Sequence, residues 1–487
     1  MSSALILLSI LTQLPPPNTT YYFDQLIDHN DPGLGTFKQR YWHNWEFYKQ
    51  GGPIVLAARG ESNAMDGVTY VTNASIAGMI AQELGGATVS LEHRYFGGSQ
   101  PYGNLSTDNL KYHTIQQAID DLDYFAYHVK LPMPNGARVT PSEAPWILIG
   151  CSYAGALTSF TKVNKQNTFY AAWSTSGVVE ATVDSWRYYD IIRTHMPQNC
   201  SRDVQRVTEH IDRVFTSGNE TSINEVKGLF NMNVSHLDDF VSALRAPLFE
   251  WQVIDLTPTT SHTFYHFCDA LEGNSSAPAD GWGLDHALQA WSFYWNTDGF
   301  RLGVNCIDTY NRNSSKYTDI SSSNSERSWH WLTCNELGFF HTGAPTGTPT
   351  IVSRLLLPAY DERQCLYMFP EAFSAPPTPH TSETNMKYRG WDVNVERMIF
   401  VNGENDPWRA VTVSAEGSNA TSTATQPIFV HDGWHCSDLY VDNGLADPKI
   451  ADIQKQGIAK MKEWIGAWKP PTTTRLACLC HTRARGR

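Results

Sequence analysis

Hydrophobic residues in this chain come in short unbroken runs, separated by longer stretches with helical spacing. Ile54-Val55-Leu56-Ala57-Ala58 lies between Gly52-Pro53 and Arg59-Gly60-Glu61 with no polar residue inside it. Such a run predicts a strand buried on both faces, as in a parallel sheet. Runs at 87–91, 146–150, 170–179, 398–401 and 427–430 predict further strands. Between them the period changes. Residues 76–84 are helical in pattern. Ile115, Ala118, Ile119, Leu122, Phe125, Ala126 and Val129 mark one face of a second helix, opened by the capping-box pattern Thr114-Ile115-Gln116-Gln117. The aromatic-rich stretch 23–48 predicts paired strands. Strands alternating with helices predict an α/β sheet built of crossovers.

The texture changes near residue 180. Helical patterns such as Val204, Val207, Ile211, Val214 and Phe215 dominate up to 387, with no comparable buried strand. The expected organisation is a signal peptide over 1–17, the first part of a core over 20–179, a helical insertion over 180–387, and the second part of the core over 388–468. A closing helix is expected at about 452–468, and a basic, disordered tail over 469–487.

Composition narrows the partners. With 41% hydrophobic residues the chain of 487 has ample material for a large core. Its last 19 residues hold five cations and no acid, so a formal net charge of -13 becomes -18 for the rest. Nucleic acid is therefore excluded as a partner. The apolar run at 4–11 is too short to cross a bilayer and long enough for a signal-peptide core. No later segment spans, so no stable membrane insertion is expected after signal removal. Nine N-x-S/T sequons, from Asn18 to Asn419, are about twice what chance placement gives, which fits a glycosylated protein of the secretory route. An extracellular, vacuolar or lysosomal location follows. A homodimer is left open. Among nine cysteines there is no C-x-x-C pair, and neither metal nor cofactor is expected. A few disulfides are expected among Cys200, Cys268, Cys306, Cys334 and Cys365, with the pairing open. Cys151 and Cys436 read as packing residues.

The candidate chemistry centres on Gly150-Cys151-Ser152-Tyr153-Ala154-Gly155, where a strand ends, a serine follows, and small residues open a helix. This is the pattern of a nucleophile elbow, although an ordinary glycine-serine turn has the same residues. Serine needs a base and an orienting acid. Asp406 follows the strand at 398–401, and His435 follows the strand at 427–430, in the chain order of an α/β-hydrolase. His431 is the rival base, and Glu404 and Asp438 are surface charges or substitute acids. The backbone N–H of Tyr153, with one from Gly60 or Glu61, is expected to bind the oxyanion. Trp408 is carried to the mouth of the site by the loop of Asp406. A lipase or carboxylesterase shares these features. A non-enzymatic binding protein on the same scaffold usually lacks one of the three catalytic groups, and none is missing here.

Several stretches resemble one family: 25–29, 36–41, 52–54, Glu92-His93-Arg94-Tyr95-Phe96-Gly97, the elbow, 331–340, Asp406-Pro407-Trp408 and Gly433-Trp434-His435. The chain is similar to the serine peptidases that include lysosomal prolyl carboxypeptidase, dipeptidyl peptidase II and fungal acid prolyl endopeptidases, and it is placed on the fungal branch. The resemblance implies an α/β-hydrolase core with a large helical lid, and peptide or protein substrates cut after proline, often at acidic pH. It also implies Ser152, Asp406 and His435 as the triad, and Trp408 in the pocket before the scissile bond. Two departures stand out. The family commonly has glycine where Cys151 stands and a second histidine where Cys436 stands.

Overall fold

The computed structural model describes residues 14–254, 256, 263–273, 277–297 and 308–471. Cys306, residues 1–13 of the expected signal peptide and residues 472–487 of the expected tail lie outside them.

Eight strands form one sheet: β1 (Thr20–Leu26), β2 (Thr36–Asn44), β3 (Ile54–Ala58), β4 (Ala87–Leu91), β5 (Trp146–Cys151), β6 (Ala171–Thr175), β9 (Met398–Gly403) and β10 (Ile428–His431). Their spatial order is β1-β2-β4-β3-β5-β6-β9-β10. The β1–β2 and β2–β4 pairs are antiparallel and the others parallel. Alternate side chains of the central strands serve opposite cores. Ile54, Leu56, Trp146 and Leu148 join the core under the helices Ile115–His128 and Tyr153–Asn164. Val55, Ile147 and Ile149 face the helices Ile76–Leu84 and Pro448–Gly466. Both faces are covered, which is why these strands lack polar alternation. This order, with helices on both faces, is the α/β-hydrolase arrangement.

Local expectations hold with adjustments. Thr114 caps its helix by accepting from Gln117 N at 3.2 Å. The reciprocal half of the capping box is not its role here, because the Gln117 side chain instead donates to Asp28 and accepts from His29 N. The strand expected over 170–179 stops at Thr175, because Ser176 turns to a positive φ of 46°. The block 92–97 is structural. Glu92 pairs with Arg40 at 2.6 Å, buried Arg94 pairs with Asp121 at 2.5 Å, and His93 Nε2 lies 3.1 Å from the Tyr153 hydroxyl.

Between β6 and β9 the chain is mainly helical, with its own core around Val204, Val207, Ile211, Trp291 and Trp295. It is not free of strands. β7 (Thr182–Asp184) and β8 (Gly338–Phe340) pair in parallel, and β8 is fully buried. Three residues are too few to leave a periodic signal.

Candidate active site

Ser152 is the single residue between β5 and the helix Tyr153–Asn164, at φ 60° and ψ -127°. A non-glycine residue held there costs about 1–3 kcal/mol and persists only where its surroundings fix it. Ser152 N donates to Thr175 O at 3.0 Å, and Ser152 O accepts from Ala156 N at 2.9 Å. The turn also needs glycine on both sides. A Cβ on Gly150 would stand 2.0 Å from Ala154 O, and one on Gly155 would stand 2.7 Å from Thr175 O.

Asp406 lies in the loop after β9, completely buried, and its Oδ1 accepts from Trp408 N at 2.9 Å. Both of its carboxylate oxygens are 2.9 Å from His435 Nδ1. With Nδ1 donating to the carboxylate, Nε2 is left as the proton acceptor. Burial pulls the His435 pKa down, but the Asp406 charge, its hydrogen bond and the nearby Glu61 carboxylate outweigh this and raise it above the ordinary value. His431, the rival, is buried in β10. Its Nδ1 accepts from Gly433 N at 3.0 Å and its Nε2 is 3.6 Å from Asp438. Asp438 is not a surface charge. It is completely buried and accepts from Trp173 Nε1 and Thr175 Oγ1 at 3.0 and 2.9 Å. Glu404, half-exposed, lies 3.3 Å from Arg409.

Ser152, Tyr153, His435, Trp408 and Glu61 line one cavity of about 320 Å³. The loop after β3 is therefore beside the elbow, and a Cβ on Gly60 would lie 3.8 Å from Ala154 N. Glu61 takes a hydrogen bond from its own backbone N–H, and burial raises its pKa. Tyr153 N–H, in the first turn of its helix, has no intrahelical acceptor. Cys151, Val178, Gln252, Trp329 and Phe339 complete the wall, and none of them was singled out in the sequence as a wall residue. Gln252 accepts from Trp408 Nε1 at 2.8 Å, and the Phe339 and Tyr188 rings meet the Trp408 ring edge-on at 5.5 and 5.1 Å. The block 331–340 was a signal for Phe339. Gln252 sits in the helical region with no pattern to mark it.

Cys151 and Cys436 are bonded to each other, which corrects their reading as packing residues. Cys200–Cys268 and Cys334–Cys365 are the other two disulfides among the described residues, both drawn from the expected set. The ligand atoms of Cys151, His435 and Cys436 lie within 4.8 Å of one another, a spacing that suits a metal ion, but bonded sulfurs offer no thiolate.

The model of the family described as "Serine carboxypeptidase S28" matches residues 25–456. The chain belongs to this family. It is a serine-type peptidase of the S28 group. It is 34% identical over 495 residues to "Serine protease vicPb" of Bipolaris victoriae (strain FI3), covering 94% of this chain and 92% of that protein. It is 28% identical to "Probable extracellular serine carboxypeptidase" of Arthroderma benhamiae (strain ATCC MYA-4681 / CBS 112371), covering 88% of this chain and 64% of that one. It is 24% identical to "Lysosomal Pro-X carboxypeptidase" of Homo sapiens, covering 93% and 90%. No helix among the described residues is long and apolar enough to cross a membrane.

Proposed function

We propose that this S28 peptidase hydrolyses peptide bonds on the carboxyl side of proline with Ser152 as nucleophile, His435 as base and Asp406 as the orienting acid. The observation that carries this reading is the placement of His435. Its Nδ1 is held between two carboxylate oxygens of Asp406 at 2.9 Å, and it lines one cavity with Ser152. His435 Nε2 takes the serine proton as Oγ attacks the scissile carbonyl, and returns it to the leaving amine. Asp406 stabilises the imidazolium formed between these steps. Tyr153 N–H and an N–H from Gly60 or Glu61 receive the oxyanion, and the bond within Glu61 favours Gly60. Water then repeats the cycle on the acyl-enzyme.

Proline preference is supported by the wall of Trp408, Phe339, Trp329 and Val178, which is flat and apolar and suits a ring that lacks an amide proton. The helical segment 180–387 supplies Gln252, Trp329 and Phe339 to that wall, as a lid over the core 20–179 and 388–468 would. The setting is extracellular, vacuolar or lysosomal. Light scattering on the purified protein decides whether it is a homodimer. The specificity is tested by digesting a defined set of peptides, with and without proline, and reading the products by mass. Cuts after proline are expected. Hydrolysis of a short-chain nitrophenyl ester without cleavage of any proline peptide would contradict the reading and favour an esterase.

A further inference from the structure

The residue before Ser152 and the residue after His435 are covalently joined. Cys151 ends β5, Cys436 follows the histidine with a left-handed φ of 59°, and their Cα atoms are 6.0 Å apart across a sequence separation of 285. The nucleophile arm and the base arm come from opposite ends of the chain, so their mutual placement depends on what crosses between them. Asp406 fixes the histidine on its Nδ1 side and has no hold on the elbow. Besides the disulfide, hydrogen bonds tie this stretch to the end of β6, from Cys436 N to Ser176 Oγ at 3.0 Å and from Trp173 Nε1 and Thr175 Oγ1 to Asp438 at 3.0 and 2.9 Å. The disulfide alone joins the residue beside the serine to the residue beside the histidine. Cys151 also lines the catalytic cavity, so the bond is reachable from the side where substrate enters.

We propose that the Cys151–Cys436 disulfide is a positioning element of the reaction: it sets the approach of His435 to Ser152, and a dithiol that opens it switches turnover down without unfolding the chain. The chemistry balances. One thiolate of the dithiol attacks a sulfur of the bridge and displaces the other as a thiolate. The second thiol of the reagent then closes on the first, leaving two reduced cysteines and an oxidised, cyclic reagent. Freed from the bridge, the His435 loop drifts from the elbow, and a misplacement of about 1 Å in a catalytic group is enough to lower the rate about 100-fold. Neither cysteine touches substrate chemistry itself. The inference rests on the triad reading above.

The test is made on the full chain with three proteins: the unmodified enzyme, the double variant Cys151→Ala/Cys436→Ala, and the control Cys200→Ala/Cys268→Ala, whose bridge lies in the helical region. Turnover of a proline peptide, the rate of fluorophosphonate labelling, and near-UV circular dichroism are measured before reduction, after dithiothreitol, and after reoxidation. The expected result is a fall of about 10- to 100-fold in kcat and in labelling rate for the double variant, with KM within about twofold. The unmodified enzyme and the control should lose the same amount on reduction and regain it on reoxidation. A folded double variant with unchanged kcat, or a change confined to KM, overturns the proposal. If the double variant does not fold, the reduction series on the other two proteins decides, and turnover that survives reduction overturns it. An oxidised enzyme that never labels at Ser152 defeats the triad reading instead, so the two failures are distinguishable.

Discussion

Asp406 presents both carboxylate oxygens to Nδ1 of His435 at 2.9 Å, in a pocket where the aspartate has no exposure to solvent. An acid so placed fixes the tautomer and stabilises the imidazolium without leaving hydrogen-bond distance. Asp406→Asn keeps the shape and removes the charge, and it offers an amide where an acceptor is needed. A fall in kcat of about 10³- to 10⁴-fold with little change in KM is expected from steady-state kinetics. A loss under tenfold would show that Asp406 is structural.

As the proposed base, His435 must be neutral to accept the serine proton. Because Asp406 and Glu61 raise its pKa despite burial, kcat/KM should be lost as pH falls through a value above the ordinary 6.5. Glu61→Gln removes a negative charge that favours the imidazolium, so the acid limb should move to lower pH. A pH–rate profile in which the limb stays fixed or moves upward would remove Glu61 from the account. Activity kept well below pH 6.5, the acidic range the family resemblance implies, would contradict a raised His435 pKa.

Trp408 is pinned by Gln252 and edged by Phe339 and Tyr188. Trp408→Ala should weaken cleavage after proline more than hydrolysis of a small activated ester, by about 1–3 kcal/mol in kcat/KM. Equal loss on both substrates, or loss of folded protein, would make Trp408 an anchor of the Asp406 loop rather than a wall of the pocket.

In the proposed mechanism His431 supports the loop rather than the reaction. His431→Ala leaves the Gly433 N–H without its partner in a buried place, which costs about 1–3 kcal/mol of stability. Thermal unfolding should shift downward while kcat stays within a few-fold of the parent. If turnover vanishes in a folded variant, the base has been assigned to the wrong histidine.

Much of the candidate site's placement was legible in the sequence because its parts sit at strand ends. Buried strands announce themselves as apolar runs, and Ser152, Asp406 and His435 each follow one at the spacing a short loop allows. What the chain order does not encode is contact between remote segments. Cys151 and Cys436 are 285 residues apart, and each also makes sense as a small buried residue, so their bond had no sequence signal. Gln252 reaches Trp408 from a helical region whose pattern reports its own core and not the face turned to the cavity. Asp438 resembled a surface charge because its partners, Trp173 and Thr175, come from β6.

The most direct test of the account is to label the intact enzyme with a fluorophosphonate and locate the adduct by peptide mass. The account predicts a single adduct on Ser152. It further predicts that the labelling rate falls by at least about 10³-fold in His435→Ala and is unaffected, within a few-fold, in His431→Ala. An adduct on another residue, or equal labelling of the His435→Ala variant, would contradict it.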